Sequence, residues 1–103
     1  MLLVVDNGSI YTKQLTDFLS KKNISFEKYT PYILELNSLQ KYNSIILSGR
    51  RKNDKKINEV NSKIINFSIN NSKKLLGICY GAEILALTLG GTIRKSSFLY
   101  SKK

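Results

Sequence analysis

Lys74-Leu75-Leu76-Gly77-Ile78-Cys79-Tyr80-Gly81-Ala82 is the stretch on which the fold turns. Its first five residues read as a short buried strand. From Ala82 to Leu89 the pattern reads as a helix, apolar almost all round. Between them stands the single cysteine, flanked by Gly77 and Gly81. A nucleophile between glycines at a strand-to-helix turn has the layout of a nucleophile elbow. The turn is tight, and glycine removes the side chains that would clash in it. Cys79 then sits at a helix N-terminus, where the dipole and free N–H groups favour thiolate over thiol. The same residue also fits a buried structural thiol, since free cysteine is among the most buried residue types.

Working outward, strands alternate with helices. Leu2 to Val5 is an all-apolar strand, and Asp6-Asn7-Gly8-Ser9 is a turn whose serine can cap the next helix. Ile10 to Lys22 reads as that helix, with Tyr11, Leu15, Phe18 and Leu19 on one face. Ser25 to Tyr29 is a more polar strand, expected near a sheet edge. Pro31 breaks the chain, and Ile33 to Leu39 forms a short helical or irregular connection. Asn43 to Leu47 is a third strand and Ser48 to Asp54 a loop. Lys55 to Asn71 is a helix with Ile57, Val60, Ile64 and Phe67 at helical spacing. The elbow follows, Gly90-Gly91 ends its helix, and Thr92 to Lys95 could open a fifth strand. Residues 96–103 are expected to form no element. This alternation predicts an α/β fold, an open parallel sheet with helices on both faces. Ligands bind such sheets at the carboxyl ends of the strands. Asp6-Asn7-Gly8, Ser48-Gly49-Arg50 and Cys79 all fall on that rim.

Composition bounds the remainder. A chain of 103 residues suffices for one small domain with a core, and 42% hydrophobic content is ordinary for a soluble protein. No apolar run reaches the roughly 20 residues of a membrane span. The apolar start is too short for a signal peptide, so a cytoplasmic protein is expected. One cysteine permits no internal disulfide, and one cysteine with no histidine excludes zinc-finger spacing. The net charge of +10 is spread along the chain. Lysine, asparagine and isoleucine, all with AT-rich codons, dominate the composition. Scattered charge of that origin argues against a nucleic-acid partner. The one dense cluster is Arg50, Arg51, Lys52, Lys55 and Lys56. It fits a solvated loop, a docking patch or a phosphate contact.

Four segments together resemble the N-terminal part of a class I (triad) glutamine amidotransferase domain. They are Val4-Val5-Asp6-Asn7-Gly8, Ile45-Ile46-Leu47-Ser48-Gly49, Leu76-Gly77-Ile78-Cys79-Tyr80-Gly81 and Leu89-Gly90-Gly91. Within that family the Asn7-Gly8 pair, the Tyr11-Thr12 pair and Tyr80 are most similar to the GMP synthetase type. The resemblance implies a flavodoxin-like fold whose C-terminal part is missing, with residues 1–95 as its N-terminal portion and 96–103 as an unstructured or truncated tail. It implies Cys79 as nucleophile and an oxyanion hole from Tyr80 and Gly49. Glu83, Ser48 and Arg50 fall at substrate-binding positions, with Gly77 and Gly81 shaping the elbow. It implies glutamine as substrate, no cofactor, no membrane, and ammonia passed to an ATP-dependent synthetase subunit or domain.

Three features depart from that pattern. The chain has no histidine, whereas the family's general base is a histidine oriented by a glutamate in a later motif. An unperturbed thiol, of pKa about 8.5, is only a few per cent thiolate at neutral pH, so the chain alone is expected to be inactive. The third-strand loop reads Gly49-Arg50-Arg51 where Gly-Gly-Pro is usual. Glu83 stands where glutamine is usual; it also fits a carboxylate favoured at a helix N-terminus. A fragment of a longer gene, a split gene, or a non-catalytic interaction module docking acidic partners would each account for these departures. A DJ-1-like or α/β-hydrolase-like elbow protein is a further reading, less favoured by the first-strand turn and the Leu89-Gly90-Gly91 ending. Half a doubly wound sheet leaves apolar surface uncovered, so self-association of the isolated chain is expected.

Overall fold

The structure, a computed structural model, describes residues 1–50 and 54–78 and the backbone of 97–100. Five strands form one sheet: β1 (Leu2–Val5), β2 (Phe26–Tyr29), β3 (Ser44–Leu47), β4 (Lys74–Ile78) and β5 (Ser97–Tyr100). Their order is β2-β1-β3-β4-β5. The first four are parallel, as the alternation of strand and helix requires. The polar strand β2 lies at the edge, as expected from its composition.

The last strand corrects the sequence reading. Ser97–Tyr100, within the stretch expected to be an unstructured tail, pairs antiparallel with β4. Two aromatic residues in four favour extended backbone, and the free edge of β4 supplies a partner. The strand considered at Thr92 to Lys95 and the Gly90-Gly91 helix end lie outside the described residues.

Helix α1 spans Thr12–Lys21, α2 spans Lys55–Asn70, and a 3₁₀ helix covers Leu36–Lys41. One sheet face carries Leu3, Val5, Ile45, Leu47 and Leu75. These pack with Val60, Ile64 and Ile65 of α2 and with Leu34, Leu39 and Tyr42. Val4 and Ile46 alternate to the opposite face and are buried too, as central strands covered on both sides require. Among the described residues no helix is long and apolar enough to cross a membrane.

The inward face of α1 differs from the one expected. Thr12, Thr16 and Leu19 are buried, while Tyr11 and Phe18 are 63% and 54% exposed. The helix is rotated so that Thr12, Thr16 and Leu19 face inward and both aromatic rings face outward. Nor does Ser9 cap α1. Its Oγ accepts from the Tyr11 N–H at 3.1 Å, a local turn one step before the helix. Asp54 is the true helix cap of the pair: its carboxylate accepts from the Ile57 N–H at 3.2 Å.

Both helices end the same way. After α1 the Ile24 N–H reaches the Leu19 carbonyl and the Asn23 N–H reaches that of Ser20. After α2 the Lys73 and Ser72 N–H groups reach Ser68 and Ile69. These are Schellman motifs, and each puts a residue other than glycine in the left-handed region, Asn23 at φ 59° and Ser72 at φ 56°.

Candidate active site at the carboxyl rim of the sheet

The strand register builds the rim. Val5 pairs with Leu47, and Leu47 with Gly77. The three central strands therefore end level, and the chain leaves each at the same height. Gly77 is buried and paired on both sides, with Leu47 and with Phe98; it is the last interior position of β4 before Ile78. Cys79, Tyr80, Gly81 and Glu83 lie outside the described residues, as do Arg51 and Lys52.

The loop after β1 turns on Asp6 and Gly8. The Asp6 carboxylate accepts from the Gly8 N–H at 2.9 Å. Gly8 has φ +99°, and a Cβ there would meet nothing within 4 Å. The glycine is thus required by backbone conformation rather than by crowding. Gly8 then pairs with Arg50 in an isolated antiparallel bridge, which joins the β1 loop to the β3 loop.

Beneath that bridge lies a buried polar network. The Asn7 N–H donates to Ser48 Oγ at 2.9 Å, and Asn7 Nδ2 donates to the Ser48 carbonyl at 3.0 Å. Asn7 Nδ2 also donates to Asn61 Oδ1 at 3.0 Å, and Asn61 Nδ2 returns a bond to Asn7 Oδ1 at 2.8 Å. Asn61 Nδ2 further donates to the Ile57 carbonyl at 2.7 Å. The Ser48 hydroxyl donates to the Gly49 carbonyl at 3.0 Å. Asn7, Ser48 and Asn61 are 2%, 4% and 0% exposed, so every one of these bonds replaces water that cannot enter. Ser48, a candidate substrate contact, thus commits its hydroxyl to the two loops, accepting from Asn7 and donating to Gly49. Arg50, another, directs Nη1 to Asn58 Oδ1 on α2 at 2.9 Å.

Beside this network is a small cavity of about 50 Å³, lined by Ser9, Tyr11, Thr12, Leu15, Ser48, Gly49 and Ile78. It brings the first turn of α1, the Ser48-Gly49 loop and the residue preceding Cys79 to one place. The Thr12 hydroxyl, in its wall, is buried and makes no hydrogen bond among the described residues.

Sequence reasoning found Asn7, Ser48, Gly49 and Arg50 as rim residues but missed Asn58 and Asn61. The signal was present in the case of Asn61. It interrupts the apolar stripe Ile57, Val60, Ile64 at a position that must face the core, where an amide needs a buried partner. Thr12 was noted only as part of a sequence pair. Away from the rim, Glu27, Tyr32 and Tyr42 have displaced pKa values. The Tyr42 hydroxyl donates to Glu27, and that bond, with Lys41 alongside, holds the Glu27 carboxyl below its usual range. Burial, then Glu27, pushes the Tyr42 phenol above its own. Tyr32 donates to Asp54, which raises the Tyr32 phenol likewise.

Comparison with known proteins places this geometry. The model of the family glutamine amidotransferase class-I matches residues 3–103. A glutamine-hydrolyzing GMP synthase of Borreliella burgdorferi is 32% identical over 100 residues, covering 93% of this chain and 19% of that protein. One from Cytophaga hutchinsonii is 33% identical over 97 residues, covering 93% and 18%. The chain thus spans about a fifth of the length of these relatives. Among solved structures, a putative GMP synthase subunit of Thermoplasma acidophilum superimposes with a TM-score of 0.70 at 25% identity, over 86% of this chain and 44% of that one. A glutamine amidotransferase of Thermotoga maritima gives a TM-score of 0.64 at 24% identity, over 86% and 42%, a likeness of fold.

Proposed function

The chain belongs to the class-I glutamine amidotransferase family, and from that premise we propose that it is the nucleophile-bearing part of a glutaminase unit of the GMP synthase type. The observation that carries this reading is the level ending of β1, β3 and β4, with Ile78, the residue before Cys79, lining one cavity with Ser48 and Gly49.

In the proposed reaction the Cys79 thiolate attacks the side-chain amide carbon of glutamine. An S–C bond forms, and the π electrons move onto the carbonyl oxygen. The N–H groups of Tyr80 and Gly49 are assigned to that oxyanion. Collapse of the intermediate breaks the C–N bond, and the nitrogen takes a proton and leaves as ammonia. Water then attacks the glutamyl thioester, releasing glutamate and restoring the thiol. No cofactor enters these steps. The proton transfers need a base, and the 103 residues contain no histidine; the base is assigned to a histidine outside them. On this reading the chain alone does not turn over, and ammonia passes to an ATP-dependent synthetase domain or subunit in the cytoplasm. Glu83 and Arg50 are assigned to the polar ends of the substrate.

The histidine-free sequence also favours a second reading, a non-catalytic module docking acidic partners through Arg50 to Lys56. One experiment separates the two. A chloromethyl ketone analogue of glutamine alkylates a cysteine by forming an S–C bond as chloride leaves, and needs no proton donor. Labelling of Cys79 is expected to saturate with the analogue and to be slowed by glutamine but not by asparagine. Labelling that is linear in reagent and indifferent to glutamine would refute the glutaminase reading.

A further inference from the structure

We infer that Asn61, together with Asn7 and Asn58, is a positioning residue that holds the Ser48-Gly49-Arg50 loop in the conformation its function requires. The loop needs such support. Glycine is the least restrained residue, and the loop contains no proline to fix φ. The Ser48 N–H is tied to the Val5 carbonyl at 3.1 Å, and beyond that backbone bond the loop is restrained by side-chain bonding from the β1 loop and from α2.

The orientation of the amide pair is chemically determined. Asn7 Nδ2 faces the Ser48 carbonyl and Asn61 Nδ2 faces the Ile57 carbonyl, at 3.0 and 2.7 Å. A carbonyl only accepts, so both nitrogens must point where they do. Each amide then offers its second N–H to the other's oxygen, at 3.0 and 2.8 Å. All four N–H bonds and both oxygens are engaged, in a site with no solvent. Turning either amide over would set two acceptors against each other. The pair is therefore a fixed link from α2 through Asn7 to the Ser48 backbone. Three residues earlier on α2, and so on a neighbouring part of its surface, Asn58 holds the Arg50 guanidinium at 2.9 Å. Two asparagines of one helix thus restrain both ends of a three-residue loop. The Asp54 cap fixes the first turn of that helix, and the Gly8–Arg50 bridge completes the frame.

The inference rests on the reading of Gly49 as an oxyanion donor, and its test keeps the two apart. In the full chain, Asn61→Ala is compared with the native sequence by amide hydrogen exchange. The Asn7 and Gly49 amides are expected to exchange at least about tenfold faster relative to Val4 and Ile46, a local opening rather than a global one. Labelling of Cys79 by the glutamine chloromethyl ketone is expected to fall about tenfold, since the donors assigned to the oxyanion would also hold and polarise the analogue's ketone oxygen and are displaced, while the rate with iodoacetamide stays the same. Equal acceleration of loop and strand amides would overturn the inference and leave Asn61 a structural residue. Should Asn61→Ala not fold, Asn58→Ala answers the question. It replaces a half-buried amide with the best helix former, so the melting temperature is expected to hold while labelling by the analogue falls; unchanged labelling would overturn the inference for Asn58. If the native chain shows no saturable labelling, the glutaminase reading fails, and the exchange experiment still decides whether the loop is held from α2.

Discussion

Removing one member of the Asn7–Asn61 pair should cost more than removing its bonds alone. Asn61→Ala deletes two hydrogen bonds to Asn7 and one to the Ile57 carbonyl. Each bond is worth about 1 kcal/mol net, and the Asn7 oxygen left buried without a donor adds about 1–3 kcal/mol. Alanine's higher helix propensity returns about 0.6 kcal/mol. The expected loss is about 3.5–5.5 kcal/mol, a large part of the 5–15 kcal/mol typical of a domain. Asn7→Ala should cost a similar amount, since it strands Asn61 Oδ1 and deletes the bond to the Ser48 carbonyl. The double variant leaves neither orphan. It should therefore be destabilised by well under the sum of the singles, with a coupling of about 2 kcal/mol. Urea unfolding of the four proteins followed by circular dichroism measures this, with equal m-values as the check that the unfolded states match. Additivity within about 0.5 kcal/mol would refute the view of the pair as one closed unit.

Three other outcomes follow from the fold. Leu19→Ala should cost about 2–5 kcal/mol as a core truncation, and Phe18→Ala under about 0.5 kcal/mol, because the phenyl ring is outside; comparable losses in thermal unfolding would mean that α1 is rotated the other way. Ser72→Gly should raise stability by about 0.5–1 kcal/mol by relieving a left-handed serine, whereas the same change at an exposed ordinary helical position, Ser20→Gly, should lower it. Stability linked to Glu27 should be present above pH 4.5 and fall as acid protonates the carboxylate through its lowered folded pKa; that linked to Tyr42 should be present below pH 10 and fall as base ionises the phenol. Tyr42→Phe should shift the acid limb toward higher pH, and an unchanged acid limb would show that the bond contributes nothing.

Much of the fold was legible because its causes are local. Leu2–Val5, Ser44–Leu47 and Lys74–Ile78 are apolar runs bounded by turn residues, and α2 carries its stripe at helical spacing. The rotation of α1 was not legible. Its sequence offers Tyr11, Leu15, Phe18 and Leu19 as an apolar face and Thr12, Thr16 and Leu19 as a slimmer one, and periodicity alone cannot choose. β5 was missed because a four-residue strand has no stability by itself; it exists by pairing with β4. The rim was partly legible, since turn residues after apolar strands mark the carboxyl ends at which a parallel sheet binds.

The sequence by itself determined the family and the alternation of strand and helix, because these depend on residue type and order along the chain. Only the tertiary structure decided what meets at the carboxyl rim of the sheet. Asn7 and Asn61 are 54 residues apart, and Arg50 is tied to α2 through Asn58. Register brings Val5, Leu47 and Gly77 level. Hydrogen bonding in a buried site depends on distance and direction in space, and a linear pattern carries neither.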